Sequence, residues 1–325
     1  EGHNFTYFFY IPVLLLGFFP WSGWLPFAWM EAYRNWRETK RHGASVSHPV
    51  DQELEWFAAA WVLGVFVFFT LSSTRLPHYI GPLFPGAAIL TACFWSRGLE
   101  DSATRGVRAS IHTVMAIGYL LAIGFASLPS LYPSIAGKLT KEFPLATQMN
   151  LGSGPYVASI LLLIGMALVG YFGLSDSKRA GAFWAACASL GLLVVTLLVL
   201  VIPGLNRYFI SPPQVLAYAA GVNLGANDRL IAFGSTRPSL AFYARRRVEF
   251  IPSGEIDRLR QTLLHEGRTM IIVPESVLSA LPKETESYQP ILKRHGYLLL
   301  ANEPMVEIPE GTGPPASTDR PLSPH

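Results

Sequence analysis

The 325 residues are 50% hydrophobic and only 14% charged, with a formal net charge of +3. A soluble globular domain carries roughly a quarter of its residues as charges, so much of this chain needs a membrane as its solvent. The small net charge excludes any bulk attraction for nucleic acid, and Cys93 and Cys187, both inside apolar runs, supply neither a disulfide framework nor a zinc-binding spacing.

The chain opens at Glu1 and runs at once into Phe8-Phe9-Tyr10-Ile11, with no charged n-region or small-residue cleavage site, which reads as a piece whose beginning lies elsewhere. A bilayer core of about 30 Å needs roughly 20 apolar residues in a helix. Stretches without Asp, Glu, Lys or Arg occur at 7–30, 56–74, 76–96, 109–137, 143–175 and 180–206. They predict six spans with cores at residues 9–30, 56–73, 77–95, 111–129, 156–174 and 183–202. Residues 73–76 alone separate the second and third spans, which predicts a tight hairpin with its tip near the interface.

Orientation follows from the connections, because basic residues favour the cytoplasmic side. Arg34, Arg37, Lys40, Arg41, Arg97, Arg105, Arg108, Lys178 and Arg179 fall in alternate connections, against Arg75, Lys138 and Lys141 on the other side. With an even number of spans, both the start of the chain and everything after Pro203 are expected outside the cytoplasm. No Asp, Glu, Lys or Arg occupies a span centre, which removes the main support for an ion-coupled transporter. His112 opens a span and is read as an interfacial histidine ahead of a proton relay.

After Asn206 charges return, 13 basic and 12 acidic. Strands are predicted at 229–233, 248–251, 269–273 and 297–300, with helices at 213–221, 238–245, 255–265, near 275–281 and near 288–294. Such alternation predicts a small, mostly parallel sheet covered by helices. The expected organisation is a partial transmembrane domain at 1–206, an extracytoplasmic α/β domain at 207–308 and a Pro-, Gly- and Ser-rich disordered tail at 309–325. Gly234-Ser235-Thr236 could offer amides to a phosphate, although an ordinary strand-to-helix turn is the favoured reading without a GxGxxG or P-loop pattern. Arg245, Arg246 and Arg247 read first as a solvated helix end and second as a contact for anionic lipid.

Two stretches go beyond generic membrane patterning. One is Gly2-His3-Asn4-Phe5-Thr6-Tyr7-Phe8-Phe9-Tyr10 continuing to Gly17-Phe18-Phe19-Pro20-Trp21, and the other is Ser73-Thr74-Arg75-Leu76-Pro77-His78-Tyr79-Ile80 followed by Gly81-Pro82-Leu83-Phe84-Pro85. Together they resemble the bacterial membrane glycosyltransferases that include aminoarabinose transferase, relatives of the protein O-mannosyltransferases. Residues 237–248 also look like that family's exported carboxyl-terminal domain. The departure at Thr6, where the family usually has proline, alters the local geometry there.

The resemblance implies an α-helical polytopic membrane domain of the GT-C type, about six helices in this chain, with a small carboxyl-terminal α/β domain. It implies transfer of a sugar from a polyprenyl-phosphate donor to an envelope acceptor on the periplasmic side of a bacterial inner membrane, with 4-amino-4-deoxy-L-arabinose and lipid A as the pair from the aminoarabinose branch. Arg75 and Tyr79 are then the donor-phosphate contacts, and His3 corresponds to the family histidine associated with metal or phosphate, so a divalent metal is an implied cofactor. The family's essential aspartates belong to a first external loop that this sequence does not contain, so no catalytic residue is assigned and the chain alone is expected to be inactive. Glu1 and Glu142 are the only outer carboxylates of the membrane portion. Rival readings are the same fold with a protein or other envelope-glycan acceptor, and a non-catalytic membrane anchor whose exported domain binds a partner.

Overall fold

The computed structural model describes residues 8–42, 50–73, 75–100, 105–140, 143, 145–235, 237–264 and 267–304. Their contacts divide them into two compact units, one built from Glu1–Ser127 and Pro155–Leu197, the other from Leu128–Gly154 and Leu198–His325.

The first unit is helical. Its elements are α1 (Tyr10–Gly17), α2 (Leu25–His42), α3 (Val50–Leu71), α4 (Leu83–Glu100), the first part of α5 (Arg105–Leu139), α6 (Gly154–Gly173) and α7 (Ala180–Thr196). Among the described residues four helical runs are long and apolar enough to cross a membrane: Gln52–Leu71, Gly106–Leu139, Gly154–Gly173 and Ala180–Asn223. These correspond to the second, fourth, fifth and sixth expected spans. The first and third are corrected. Residues 9–30 do not form one helix, because Pro20 supplies no backbone N–H and the chain passes through a 3-10 turn at Trp21–Gly23 between α1 and α2. The third helix begins at Leu83 rather than Pro77, after a separate 3-10 turn at Pro77–Ile80, and its end at Glu100 carries charges.

Lipid gives helices no hydrophobic reason to associate, so close van der Waals packing must do so. A Cβ added at Gly165 of α6 would overlap the Ser189 hydroxyl of α7, and one added at Gly98 of α4 would lie 2.6 Å from Val107 of α5. Ser189 in turn donates to the Ala185 carbonyl at 2.6 Å. Inside the bundle Trp24 stacks on Trp95 at 4.5 Å between centroids, and Phe18 stacks on Phe84 at 5.9 Å. Leu120, Ile123, Ile160 and Ile164 on α5 and α6 stay exposed, an apolar outer surface that suits hydrocarbon.

In the second unit the helical run from α7 continues through π-helical turns at Leu197–Val201 and Asn206–Ile210, with α8 (Ile202–Leu205) between them, into α9 (Ser211–Asn223). A five-stranded sheet follows: β1 (Arg229–Phe233), β2 (Val248–Ile251), β3 (Thr269–Pro274), β4 (Gln289–Arg294) and β5 (Tyr297–Ala301), in the order β2-β1-β3-β5-β4. β1 runs parallel to β2 and β3, whereas β5 is antiparallel to both β3 and β4, so the sheet is mixed. Alternation along β1 and β3 splits the core in two. Leu230, Ala232, Met270 and Ile272 share a cluster with residues of α9 and α10 (Ser239–Ala244). Ile231, Phe233, Ile271 and Val273 share the other with Leu259 of α11 (Ile256–Leu263).

Two expectations for this unit are corrected. Residues 288–294 form no helix: Gln289–Arg294 is strand β4, returned into β5 by His295 and Gly296, with φ of 35° and 79°. Consecutive positive φ values match a tight two-residue hairpin turn, and glycine meets that geometry without a side-chain clash. Residues 275–280 are a 3-10 turn rather than an α-helix.

Residues 128–154 belong to this unit as well. Tyr132 donates to the Ala146 carbonyl at 2.7 Å, and Phe143 packs edge-on against Phe209 at 4.7 Å. The Arg237 guanidinium lies 4.5 Å from the centre of the Phe143 ring and donates through Nη1 to the Phe209 carbonyl at 2.7 Å. The segment expected to be disordered, 309–325, lies outside the described residues.

Candidate functional site

The last carbonyls of a helix lack intrahelical donors. At the end of α3 Arg75, half-buried, turns back so that its Nη2 donates to the Thr70 carbonyl at 3.0 Å, which sets a cation at the negative pole of that helix. Pro77 then opens the 3-10 turn, and Ile80 anchors it by full burial. The turn brings the Tyr79 ring beside Phe69 of α3, 5.8 Å between centroids, and edge-on to His78 at 4.8 Å.

A third group closes on this hairpin. Tyr10, fully buried at the start of α1, donates its hydroxyl to the Leu76 carbonyl at 3.3 Å, and both Arg75 and Tyr79 lie within electrostatic range of that hydroxyl. The structure therefore gathers both residues singled out in the sequence and adds Tyr10. Sequence reasoning placed Tyr10 only within an aromatic run, and nothing in the spacing ties it to a carbonyl 66 residues away. Forked guanidinium donors and a phenol beside a helix end suit phosphate oxygens.

The metal expectation finds no described group to test it on. His3 lies outside the described residues, as do Thr6, Glu1 and Glu142. Among the described residues no three His, Cys, Asp or Glu side chains come together in a way that could hold a metal ion.

Sequence reasoning also missed a carboxylate cluster. Glu55 on α3 is completely buried, and Arg97 of α4 grips it with two guanidinium nitrogens, one of them at 3.0 Å. The Nε of Arg97 reaches Glu31 of α2 at 3.0 Å, while Asn35 donates to Glu55 at 3.2 Å. One cation thus ties three helices. From Glu55 to the end of α3 at Leu71 is about 24 Å at 1.5 Å per residue, so these carboxylates cannot act on a group held by Arg75. A second clasp uses Arg179, buried, which donates to the Gly98 carbonyl at 2.5 Å and pairs with Asp176, itself 3.1 Å from Arg108.

In the α/β unit the glycine turn is structural. The Gly234 amide is already spent on the Ile251 carbonyl at 2.9 Å, and Thr236 lies outside the described residues. Arg246 donates to the carbonyls of Leu224 and Gly225, the latter at 3.0 Å, so the middle member of the arginine triplet fastens the loop after α9. A cavity of about 610 Å³ lies along β1 and β2, with Asp228, Arg229, Arg247, Glu249 and Arg258 among its lining residues.

No family model matches the sequence. Curated relatives do. The undecaprenyl phosphate-alpha-4-amino-4-deoxy-L-arabinose arabinosyl transferase of Edwardsiella ictaluri is 28% identical over 232 residues, 71% of this chain and 37% of the relative. A transferase of the same description from Pseudomonas fluorescens is 27% identical over 254 residues, 74% of this chain and 40% of the relative. The chain thus spans about two fifths of the length of these proteins. Among solved structures, ArnT from Cupriavidus metallidurans in the apo state superposes with a TM-score of 0.60 at 16% identity, covering 92% of this chain and 53% of that one. The same protein bound to undecaprenyl phosphate gives a TM-score of 0.56 at 16% identity, over 96% of this chain and 54% of that one.

Proposed function

We infer that the chain is a relative, in sequence and in its GT-C fold, of the undecaprenyl-phosphate aminoarabinose transferases, and we propose that it is the donor-holding part of a glycosyltransferase. The enzyme moves a sugar from a polyprenyl phosphate to an envelope acceptor at the periplasmic face of the bacterial inner membrane, with aminoarabinose and lipid A phosphate as the pair most consistent with these relatives. The observation that carries the proposal is the hairpin that presents Arg75 and Tyr79 together at the end of α3.

In the reaction an acceptor oxygen attacks the anomeric carbon and forms the new glycosidic bond. The bond from that carbon to the donor phosphate oxygen breaks, and polyprenyl phosphate leaves with both electrons. Charge grows on that phosphate as the bond stretches. A guanidinium and a phenol hydrogen-bonded to its oxygens stabilise it more as the charge grows, the condition for accelerating the step. The lipid tail stays in hydrocarbon while the phosphate sits at the interface, where a helix-end arginine can meet it. A hydroxyl acceptor, unlike a phosphate oxygen, would also need a carboxylate or other base to take its proton, and the described residues near Arg75 supply none that we assign to it. The proposal accordingly assigns that role to groups outside the described residues.

Purified chain in proteoliposomes is expected to bind polyprenyl phosphate, and the double substitution Arg75→Ala with Tyr79→Phe is expected to weaken that binding about a hundredfold, at roughly 1.5–3 kcal/mol per charge-assisted hydrogen bond and 0.5–1.5 per neutral one. Unchanged binding by the double variant would remove both residues from the donor site. A non-catalytic anchor predicts no such binding at all.

A further inference from the structure

The cavity of about 610 Å³ along β1 and β2 belongs wholly to the second unit, and its size falls within the roughly 300–1,000 Å³ of small-molecule sites. The strand register sets its charged lining. Leu230 pairs with Val248 and Ile231 with Glu249 on the two parallel strands, so one step back along the chain Arg229 stands beside Arg247. Neighbouring strands lie about 4.8 Å apart. Two guanidinium side chains therefore start from adjacent positions and line one cavity, although like charges set opposite each other on a sheet destabilise it.

The charges around this pair are already committed. At the same end of the sheet Arg246 donates to the Leu224 and Gly225 carbonyls, and Arg268 donates to those of Asn223 and Pro304, so these two arginines hold loops. Of the carboxylates in the lining, Glu249 pairs with Arg258 at 3.7 Å and accepts from Thr262 at 3.3 Å, while Asp228 accepts from the Gly225 amide at 2.6 Å. Arg258 also reaches Glu255 at 3.0 Å. The guanidinium groups of Arg229 and Arg247 have neither an ion pair nor a hydrogen bond with any described residue. Arg229 is half-buried and Arg247 exposed, so both are open to a ligand that enters from solvent.

The chemistry of the pair narrows that ligand. Forked cations side by side match the oxygens of a phosphate, and a phosphomonoester, at about −1.5 to −2 near neutral pH, balances both of them where a carboxylate balances one. A polyanion such as nucleic acid sets its further charges against Asp228 and Glu249. Leu230, Val248 and Phe250 add apolar surface to the lining, which suits an uncharged body behind the phosphate.

We propose that this cavity binds a phosphomonoester, its phosphate held between Arg229 and Arg247 and its uncharged body in the remaining space. The donor hairpin lies in the other unit, and the site does not depend on the reading of that hairpin.

The test uses the full chain in a non-ionic detergent and isothermal titration calorimetry with glucose 6-phosphate, with glucuronate and with phosphatidic acid carried in micelles of the same detergent. A phosphate ligand is expected to bind saturably, and glucuronate, which has a single charge on a similar ring, about tenfold more weakly than the tighter of the two phosphates. Tighter binding of phosphatidic acid assigns the site to a lipid headgroup and tighter binding of glucose 6-phosphate assigns it to a soluble ligand, both as proposed. Arg229→Gln and Arg247→Gln are each expected to weaken the tighter phosphate tenfold or more. Arg245→Gln, outside the lining, and Arg75→Ala with Tyr79→Phe should leave it unchanged. Without ligand the two glutamine variants should melt no lower than the parent, because each relieves a like-charge contact. No saturable binding of either phosphate, equal affinity for glucuronate, or unchanged affinity in both glutamine variants overturns the proposal. An equal loss in Arg245→Gln overturns it by revealing a diffuse basic patch, and an equal loss in the hairpin variant does so by moving the phosphate to the hairpin. A lower melting temperature of the glutamine variants overturns it too, since it means that the arginines find partners within the protein.

Discussion

The two ends of the α3–α4 pair solve the same problem, an arginine beside apolar helices, in opposite ways. At one end Arg97 is locked between the buried Glu55 and Glu31, so its charge is consumed in holding α2, α3 and α4 together. At the other, the Nη2 of Arg75 rests on a neutral carbonyl of its own helix. An ion pair of the first kind specifies which helices meet. A cation of the second kind caps a helix. The difference is between an arginine committed to a buried ion pair and one that caps a helix, the second being the one proposed to meet the donor phosphate.

That contrast is open to attack by substitution. The largest effect is expected for Glu55→Ala, which takes away the buried partner of Arg97 and leaves Glu31 to hold it; removing one partner of a buried pair costs about 3–5 kcal/mol, read as a lowered unfolding midpoint in detergent. Replacing both Glu55 and Arg97 by methionine should recover most of that loss, and a double variant as unstable as the single one would show that the pair does more than hold helices. In the second unit Arg237→Ala removes a guanidinium from over Phe143 and a bond to the Phe209 carbonyl, at an expected cost of about 2 kcal/mol, followed by hydrogen-exchange protection of residues 128–154. Gly296→Ala puts a side chain at φ 79° in the β4–β5 turn and should cost about 1 kcal/mol, seen in the same exchange experiment as faster opening of β4. The smallest stability effect belongs to Arg75→Ala, about 1 kcal/mol or less for a lost cap. If that change destabilised the protein as much as Glu55→Ala, the division between an architectural end and a ligand end would be wrong.

What could be read in the residues tracks how local the determining physics is. The uncharged runs that became α3, α6 and α7 announced themselves because a helix in lipid must satisfy its backbone within its own length. Strands β1, β2, β3 and β5 emerged where expected because short β-branched and leucine-rich runs sit between turn residues. β4 was misassigned because six residues, QPILKR, are too few to separate a period of 3.6 from one of 2. The break between α1 and α2 depends on how Pro20 and the tryptophans after it pack, which hydropathy does not weigh. At the hairpin, the closeness of Arg75 and Tyr79 follows from their sitting four residues apart in one motif. Tyr10, Glu55 and Arg97 were not legible, because their partners lie 66 and 42 residues away and no local pattern encodes a meeting of that kind.

The two outermost strands of the sheet have one further effect. β4 offers Pro290, which has no amide to donate, and the exposed Lys293, while β2 begins just after three consecutive arginines and carries Glu249. Proline and charge on a border strand discourage a foreign chain from extending the ladder. Copies of this protein crowded in one membrane can therefore jostle without their sheets fusing edge to edge, and a neighbouring unfolded polypeptide meets a border that resists templating.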